Sequence, residues 1–175
     1  EVKDLLAYLS VINNIQDNLN FVRIINVPKR SIGDKSVAKF AEIAAQKGIS
    51  LFESLKYIDE VSGLRAAAKE KLKDFYRLLT DVLENLEHMT VSEIFQEILN
   101  RTKYIDSIED NKEDRVKNIE ELMNSIREIE REYPGITLSE YLEFISLTSA
   151  TDSMDDEENF VKLMTIHSSK GLEFD

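Results

Sequence analysis

Residues 64–86 read LRAAAKEKLKDFYRLLTDVLENL, and within them Leu64, Ala68, Leu72, Phe75, Leu79, Val82 and Leu86 recur at intervals of three and four. That spacing puts all seven on one face of a helix and leaves the charged residues to the other. A second spine lies in residues 116–129, VKNIEELMNSIREI, through Val116, Ile119, Met123, Ile126 and Ile129. Helices with one apolar stripe must bury it against other helices. The two spines therefore predict an all-α fold, an irregular multi-helix bundle.

Working outward, Val2, Leu5, Leu6, Leu9 and Ile12 predict an amphipathic helix ended by the polar pair Asn13 and Asn14. A short helix is expected over residues 19–25, after which Pro28 forces Val27 from the helical region and opens the loop VPKRSIGD. From Asp34, the residues Val37, Phe40, Ala41 and Ala44 mark another helix, with Gly48 placed to end it. Capping boxes at Ser50/Glu53, Thr90/Glu93 and Thr137/Glu140 announce three further helix starts. Residues 106–114 are polar and expected to form a loop, and Pro134-Gly135 a turn. No fixed-period repeat favours a solenoid.

After Leu147 the chain changes to TSATDSMDDEEN, so the helical domain is expected over 1–147 and an acidic linker over 148–159. Residues 160–166, FVKLMTI, read as a short strand. A lone strand is unstable in water, so its sheet is expected to lie outside these residues. The sequence opens on Glu1 with the helical pattern already running at Val2, which reads as a cut inside an element.

The composition narrows the chemistry. With 175 residues, 42% of them apolar, only 5 Gly and 2 Pro, the chain is long enough for a real core and too short for a two-lobed ATPase. No apolar run is long enough for a membrane span, and a soluble, cytoplasmic protein is expected. Zero cysteines and two distant histidines, His88 and His167, leave no zinc-ligand spacing. The net charge of −12 repels a nucleic-acid backbone on average, so any such contact must be local.

Neither GxxxxGK[ST] nor GxGxxG occurs, which removes ATP hydrolysis by these residues alone. His167 and Ser168 are sequence neighbours that point to opposite faces of an extended segment, so they do not pair as a catalytic couple. Asp155, Asp156, Glu157 and Glu158 read as a solvated run, and His88 as a residue complementing a helix C-terminus. The aromatics Phe75, Tyr76, Phe95, Tyr104, Tyr141 and Phe144 fall mostly at core spacing and read as packing rather than a base-stacking platform.

Residues 23–39 differ. Arg23, Lys29, Arg30, Lys35 and Lys39 face only Asp34, giving an island of +4 in a remainder of −16. Ile32 and Gly33 precede a helix start, where free amides and the positive end of the dipole attract an anion and a glycine lets a phosphate approach closely. The same residues also fit an ordinary loop and helix cap.

The segments EVKDLLAYLSVI and FVRIINVPKRSIGDKS resemble the region after motif IV of UvrD/Rep/PcrA-type DNA helicases, where the accessory 2B subdomain begins. VKLMTIHSSKGLEF resembles motif V of the same family, where the chain returns to the second RecA-like domain, 2A. The likeness covers residues 1–39 and 161–175, and the order of its parts matches. It implies a 2B subdomain with flanking 2A segments of an ATP-dependent 3′-to-5′ helicase used in repair or replication, not catalytic by itself. The parent would use ATP and Mg, whereas these residues would hold no cofactor. By position, Thr165 and His167 match contacts to the single-stranded DNA track, Lys170 and Gly171 the turn near the nucleotide, and Glu173 a ribose contact. KRSIGD matches the family's GIG element, which touches duplex phosphates ahead of the fork, and implies DNA contacts at Lys29, Arg30, Ser31, Ile32, Gly33 and Lys35. The first glycine of that element is replaced by Ser31, which restricts the backbone. The implied partners are a single strand-duplex junction, the rest of the helicase chain, and repair or transcription proteins, with no membrane. Two other readings stand beside it: a free-standing helical protein-interaction module, and the equivalent region of an AddA/RecB-like helicase-nuclease.

Overall fold

The computed structural model describes residues 1–151, with side chains through residue 147. Eight α-helices occur among them: α1 (Val2–Asn13), α2 (Asn18–Ile24), α3 (Asp34–Lys47), α4 (Leu51–Ser54), α5 (Ala66–Asn85), α6 (Val91–Thr102), α7 (Lys112–Glu132) and α8 (Leu138–Thr151). The all-α expectation holds for these residues. The expected C-terminal strand at 160–166 and the motif V segment lie outside the described residues, as does the linker beyond Thr151.

A first compact unit runs Glu1–Glu143. Its centre is α1, which packs against α2, α5, α6 and α7. Leu5, Ala7, Tyr8, Leu9, Val11 and Ile12 are all buried. At 100° per residue they cover an arc of about 200°, twice the stripe of an ordinary surface helix. The expected one-sided amphipathic helix is therefore enclosed on more than half its circumference. Full burial of each large aliphatic side chain contributes about 1.5–3 kcal/mol, so α1 supplies much of the core.

Both spines fold as their periodicity requires. In α5, Ala68, Leu72, Phe75, Leu79 and Val82 are buried, with Leu78 added, while Leu64 and Leu86 fall outside the helix and are half-buried. In α7, Ile119, Met123, Ile126 and Ile129 are buried and Val116 is half-buried. Rings from α1, α2, α4 and α5 meet in one cluster. Phe75 lies 6.0 Å from Tyr8 and 6.0 Å from Phe21, and Phe52 lies 5.4 Å from Tyr76.

The capping boxes at Ser50/Glu53 and Thr90/Glu93 form reciprocally, and at α8 Thr137 N and Glu140 N donate to each other's side chains at 2.8 and 3.3 Å. The backbone amide donated by Thr137 holds the Glu140 carboxyl below its usual value, and Ser50 does the same for Glu53. Gly48 ends α3 at φ 63, and Gly135 turns the chain at φ 84. The predicted loop 106–114 is shorter than expected, because a 3-10 turn occupies Ile105–Ser107 and α7 begins at Lys112. Glu113 and Asp114 in its first turn complement the helix dipole and carry the helix back beyond the apolar spine. Helix α8 likewise runs to Thr151, four residues past the expected end of the domain, since residues 148–151 include neither Gly nor Pro. His88 is exposed in a 3-10 turn after α5.

Candidate nucleic-acid interface

The basic island sits on the connection between α2 and α3, with the Val27–Pro28 peptide cis. Burial alternates along it: Lys29, Ser31 and Gly33 are exposed, whereas Arg30 and Ile32 retain only 7% and 4% of their surface. The loop thus has an outer edge and an anchored inner edge.

Arg30 makes the inner edge. One terminal nitrogen donates to the carbonyls of Ile24 at 2.9 Å, Ile25 at 3.1 Å, Val27 at 3.1 Å and Pro28 at 3.3 Å. The other donates to Tyr8 Oη at 2.7 Å, and the guanidinium lies 4.1 Å from the centre of the Phe75 ring. Ile24 and Ile25 close α2, where the last carbonyls have no helical partner and the dipole is negative. A buried cation is stabilised there by helix-end carbonyls and an aromatic face in place of a carboxylate. Tyr8 in turn donates to Val27 O, and burial pushes its hydroxyl pKa up against the opposing pull of Arg30.

These bonds correct the role expected of Arg30, since a guanidinium committed to five acceptors inside the fold is not offered to a phosphate. The Ile32 side chain is likewise seated in the core. Asn26 was not foreseen at all. Its Oδ1 accepts from Arg30 N at 2.7 Å and Ile32 N at 3.3 Å, fixing the backbone of the inner edge. An Asn at the end of a helix and before X-Pro carries a turn-forming signal that could have pointed to it.

The outer edge keeps the other expected residues. Ser31 adopts φ 63, in the left-handed region. That conformation gives a physical reason for glycine at the corresponding position of the pattern, because it costs a residue with a Cβ about 1–2 kcal/mol. Gly33 has ordinary extended angles, and a Cβ there would meet nothing within 4 Å. Nothing inside the fold requires that glycine, and its open side faces outward.

Gly33 precedes α3 without a side-chain cap, unlike Asp17, Ser50 and Thr90 at other helix starts. Asp34 places a carboxylate in that same first turn, so the lysines supply the attraction for an anion rather than the dipole alone. Lys29 and Lys35 are exposed and form no ion pair among the described residues. Of the other cations in the island, Arg23 pairs with Asp4 at 2.7 Å, and Lys39 donates to the Ser62 carbonyl. The usable charge is accordingly smaller than the count of five. Thr165, His167, Lys170, Gly171 and Glu173 lie outside the described residues.

Among the described residues no helix is long and apolar enough to cross a membrane. Comparison with known proteins gives a family match to the UvrD-like helicase C-terminal domain over residues 1–175. The chain is 33% identical over 184 residues to the ATP-dependent DNA helicase PcrA of Bacillus subtilis, covering 99% of this chain and 25% of that protein. It is 37% identical over 180 residues to proteins of the same name from Staphylococcus epidermidis and Staphylococcus aureus, covering 99% of this chain and 24% of each. It spans about a quarter of the length of the curated relatives it matches. Over its whole length, the chain belongs to the UvrD-like helicase C-terminal domain family.

Proposed function

We propose that residues 1–147 form the accessory 2B subdomain of an ATP-dependent 3′-to-5′ DNA helicase of the cytoplasm, and that they contact the duplex ahead of the fork. The alternating burial of the α2–α3 loop carries this reading, because it presents Lys29, Ser31 and Gly33 on one edge with Lys35 beside them. Serine hydroxyls, lysine ammonium groups and backbone amides are the usual donors to DNA phosphates, and they fix register without reading sequence. The surrounding charge of the chain, −12 in total, suppresses indiscriminate binding elsewhere.

In this proposal residues 148–159 link the subdomain to the returning 2A segment at 160–175. Thr165 and His167 face the single strand there. Lys170, Gly171 and Glu173 supply part of the nucleotide site. ATP with Mg would provide the hydrolysis that drives translocation. The donor set Lys170, Gly171 and Glu173 fits a ribose and the neighbourhood of a phosphate. No phosphate-cradling loop exists in the sequence, so the phosphates are held by other parts of the protein. Its partners are the strand-duplex junction, the remainder of the helicase chain, and repair or transcription proteins.

The test is a salt titration of duplex binding by fluorescence anisotropy, comparing the wild type with Lys29→Ala/Lys35→Ala. Each phosphate contact contributes about 0.9 to the slope of log affinity against log salt. Loss of both lysines should therefore flatten the slope by about 1.8. Identical slopes would rule out the loop as a duplex contact. Arg30 is left intact in this experiment because its removal would disturb the fold.

A further inference from the structure

We infer that the phosphate contact does not stop at the loop but continues into a basic groove on one side of it, which takes the backbone of one duplex strand. This inference rests on the duplex-binding reading above. A groove of about 760 Å³ opens beside Pro28 and Lys29 and is walled by α5 and the C-terminal turn of α6. Six basic side chains line it against two acids, Asp74 and Asp106. Such an excess is unexpected in a chain of net charge −12.

Part of that charge is already neutralised. Arg77 pairs with Asp74 at 3.0 Å, and Arg101 with Asp81 at 2.8 Å and Glu97 at 3.6 Å. Arg30 is turned inward. Lys29, Lys71 and Lys103 remain, each exposed and without an ion pair among the described residues. They come from three different elements: the loop, α5 and the end of α6. No local helical requirement places the three around one groove. Lys103 complements the α6 dipole, but that role does not account for Lys29 or Lys71.

A neighbouring cavity supplies the direction. A second cavity of about 420 Å³ also touches Pro28 and Lys29, and it is lined by Glu109 and Asp110, with Asp4 paired to Arg23 and Arg115 paired to Glu1. Pro28, Lys29 and Ser107 are thus shared by a basic surface and an acidic one. A polyanion seated on Lys29 is repelled from the acidic surface and drawn toward Lys71 and Lys103. Nucleic acid fits this surface because the same Lys29 belongs both to the loop edge and to the groove, so one phosphate backbone can meet the loop and the cations of α5 and α6.

The experiment uses the chain in the duplex salt titration with a Lys71→Gln/Lys103→Gln variant, both positions being exposed. The variant should lower the slope by about 1.8, so that between about 50 and about 200 mM salt its affinity falls about 12-fold less than the wild type's. An unchanged slope in this variant, with a flattened slope in Lys29→Ala/Lys35→Ala, overturns the groove while leaving the loop reading intact. No duplex binding by the wild type overturns both. Poly-glutamate of matched charge, bound as tightly as duplex and lost to the same degree in the groove variant, overturns nucleic acid as the occupant in favour of an acidic peptide.

Discussion

Replacing Arg30 by Ala tests whether this residue holds the loop or serves the ligand. The guanidinium donates to four backbone carbonyls and to Tyr8 Oη, and it lies over Phe75. A hydrogen bond from a charged donor contributes about 1.5–3 kcal/mol net, and a desolvated cation-aromatic contact about 2 kcal/mol. The bonds share one nitrogen and their contributions do not add. The Ile25 carbonyl at the end of α2 would nevertheless lose its donor, at about 1–3 kcal/mol for a group left unsatisfied, while the Ile24 carbonyl keeps the Val27 amide at 3.0 Å. Water entering the vacated space offsets part of this, and a loss of about 4 kcal/mol is expected, within the range for breaking a buried charged network. With a urea slope of about 2 kcal/mol per molar, the unfolding midpoint should fall by about 2 M. Arg30→Lys should lose about half as much, because an ammonium retains some carbonyl bonds but cannot reach Tyr8 while lying flat on Phe75. Urea unfolding followed by far-ultraviolet circular dichroism measures both variants, and the lysine variant keeps the test open if the alanine variant does not fold. A midpoint within about 0.3 M of wild type for Arg30→Ala would refute the anchoring role.

Ser31→Gly should stabilise the chain by about 0.5 kcal/mol, the left-handed strain of about 1–2 kcal/mol being partly offset by the extra freedom of glycine when unfolded; Ser31→Val should destabilise it, and the reverse order in urea unfolding would dismiss the strain. At alkaline pH, burial, with Glu130 as a secondary influence, pushes the Tyr141 hydroxyl up to about 12 from an ordinary 10.0. Because the folded value is raised, the stabilisation is fully present below pH 10 and is lost as pH rises through about 12. Tyr141→Phe should make that alkaline loss of stability shallower, whereas an unchanged pH profile would show that Tyr141 ionises as freely in the folded chain as in the unfolded one.

The long helices α5 and α7 were legible from periodicity alone, as neither start has a side-chain cap, whereas capping boxes marked α4, α6 and α8. Leu72, Phe75, Leu79 and Val82 share a face of α5 and are buried, and each capping box begins a helix where its hydroxyl and carboxylate stand. The enclosure of α1 was not legible. Its stripe was visible, but the burial of Ala7 and Val11 depends on packing by α2, α5, α6 and α7, which no pattern within residues 2–13 records. The end of α8 was missed for a related reason. Acidity beyond Leu147 signalled a linker, while the helix needs only the absence of a breaker to continue to Thr151.

At the candidate site, charge counting singled out the α2–α3 loop but could not assign direction to its side chains. Lys29 and Arg30 are adjacent, both basic and both follow Pro28, yet one is exposed and the other almost wholly buried. The difference comes from distant parts of the sequence: Tyr8 on α1, Phe75 on α5 and the carbonyls that close α2 together form a seat for a planar cation. A lysine has neither the fork nor the flat face to use it fully. Filling that seat with Arg30 leaves Lys29 and Ser31 on the outside, so the exposed edge is a product of the buried one. The loop exposes Lys29 and Ser31 because its neighbouring cation is tied into the core, and on the proposed duplex contact disturbing Arg30 should weaken duplex binding without Arg30 ever touching DNA.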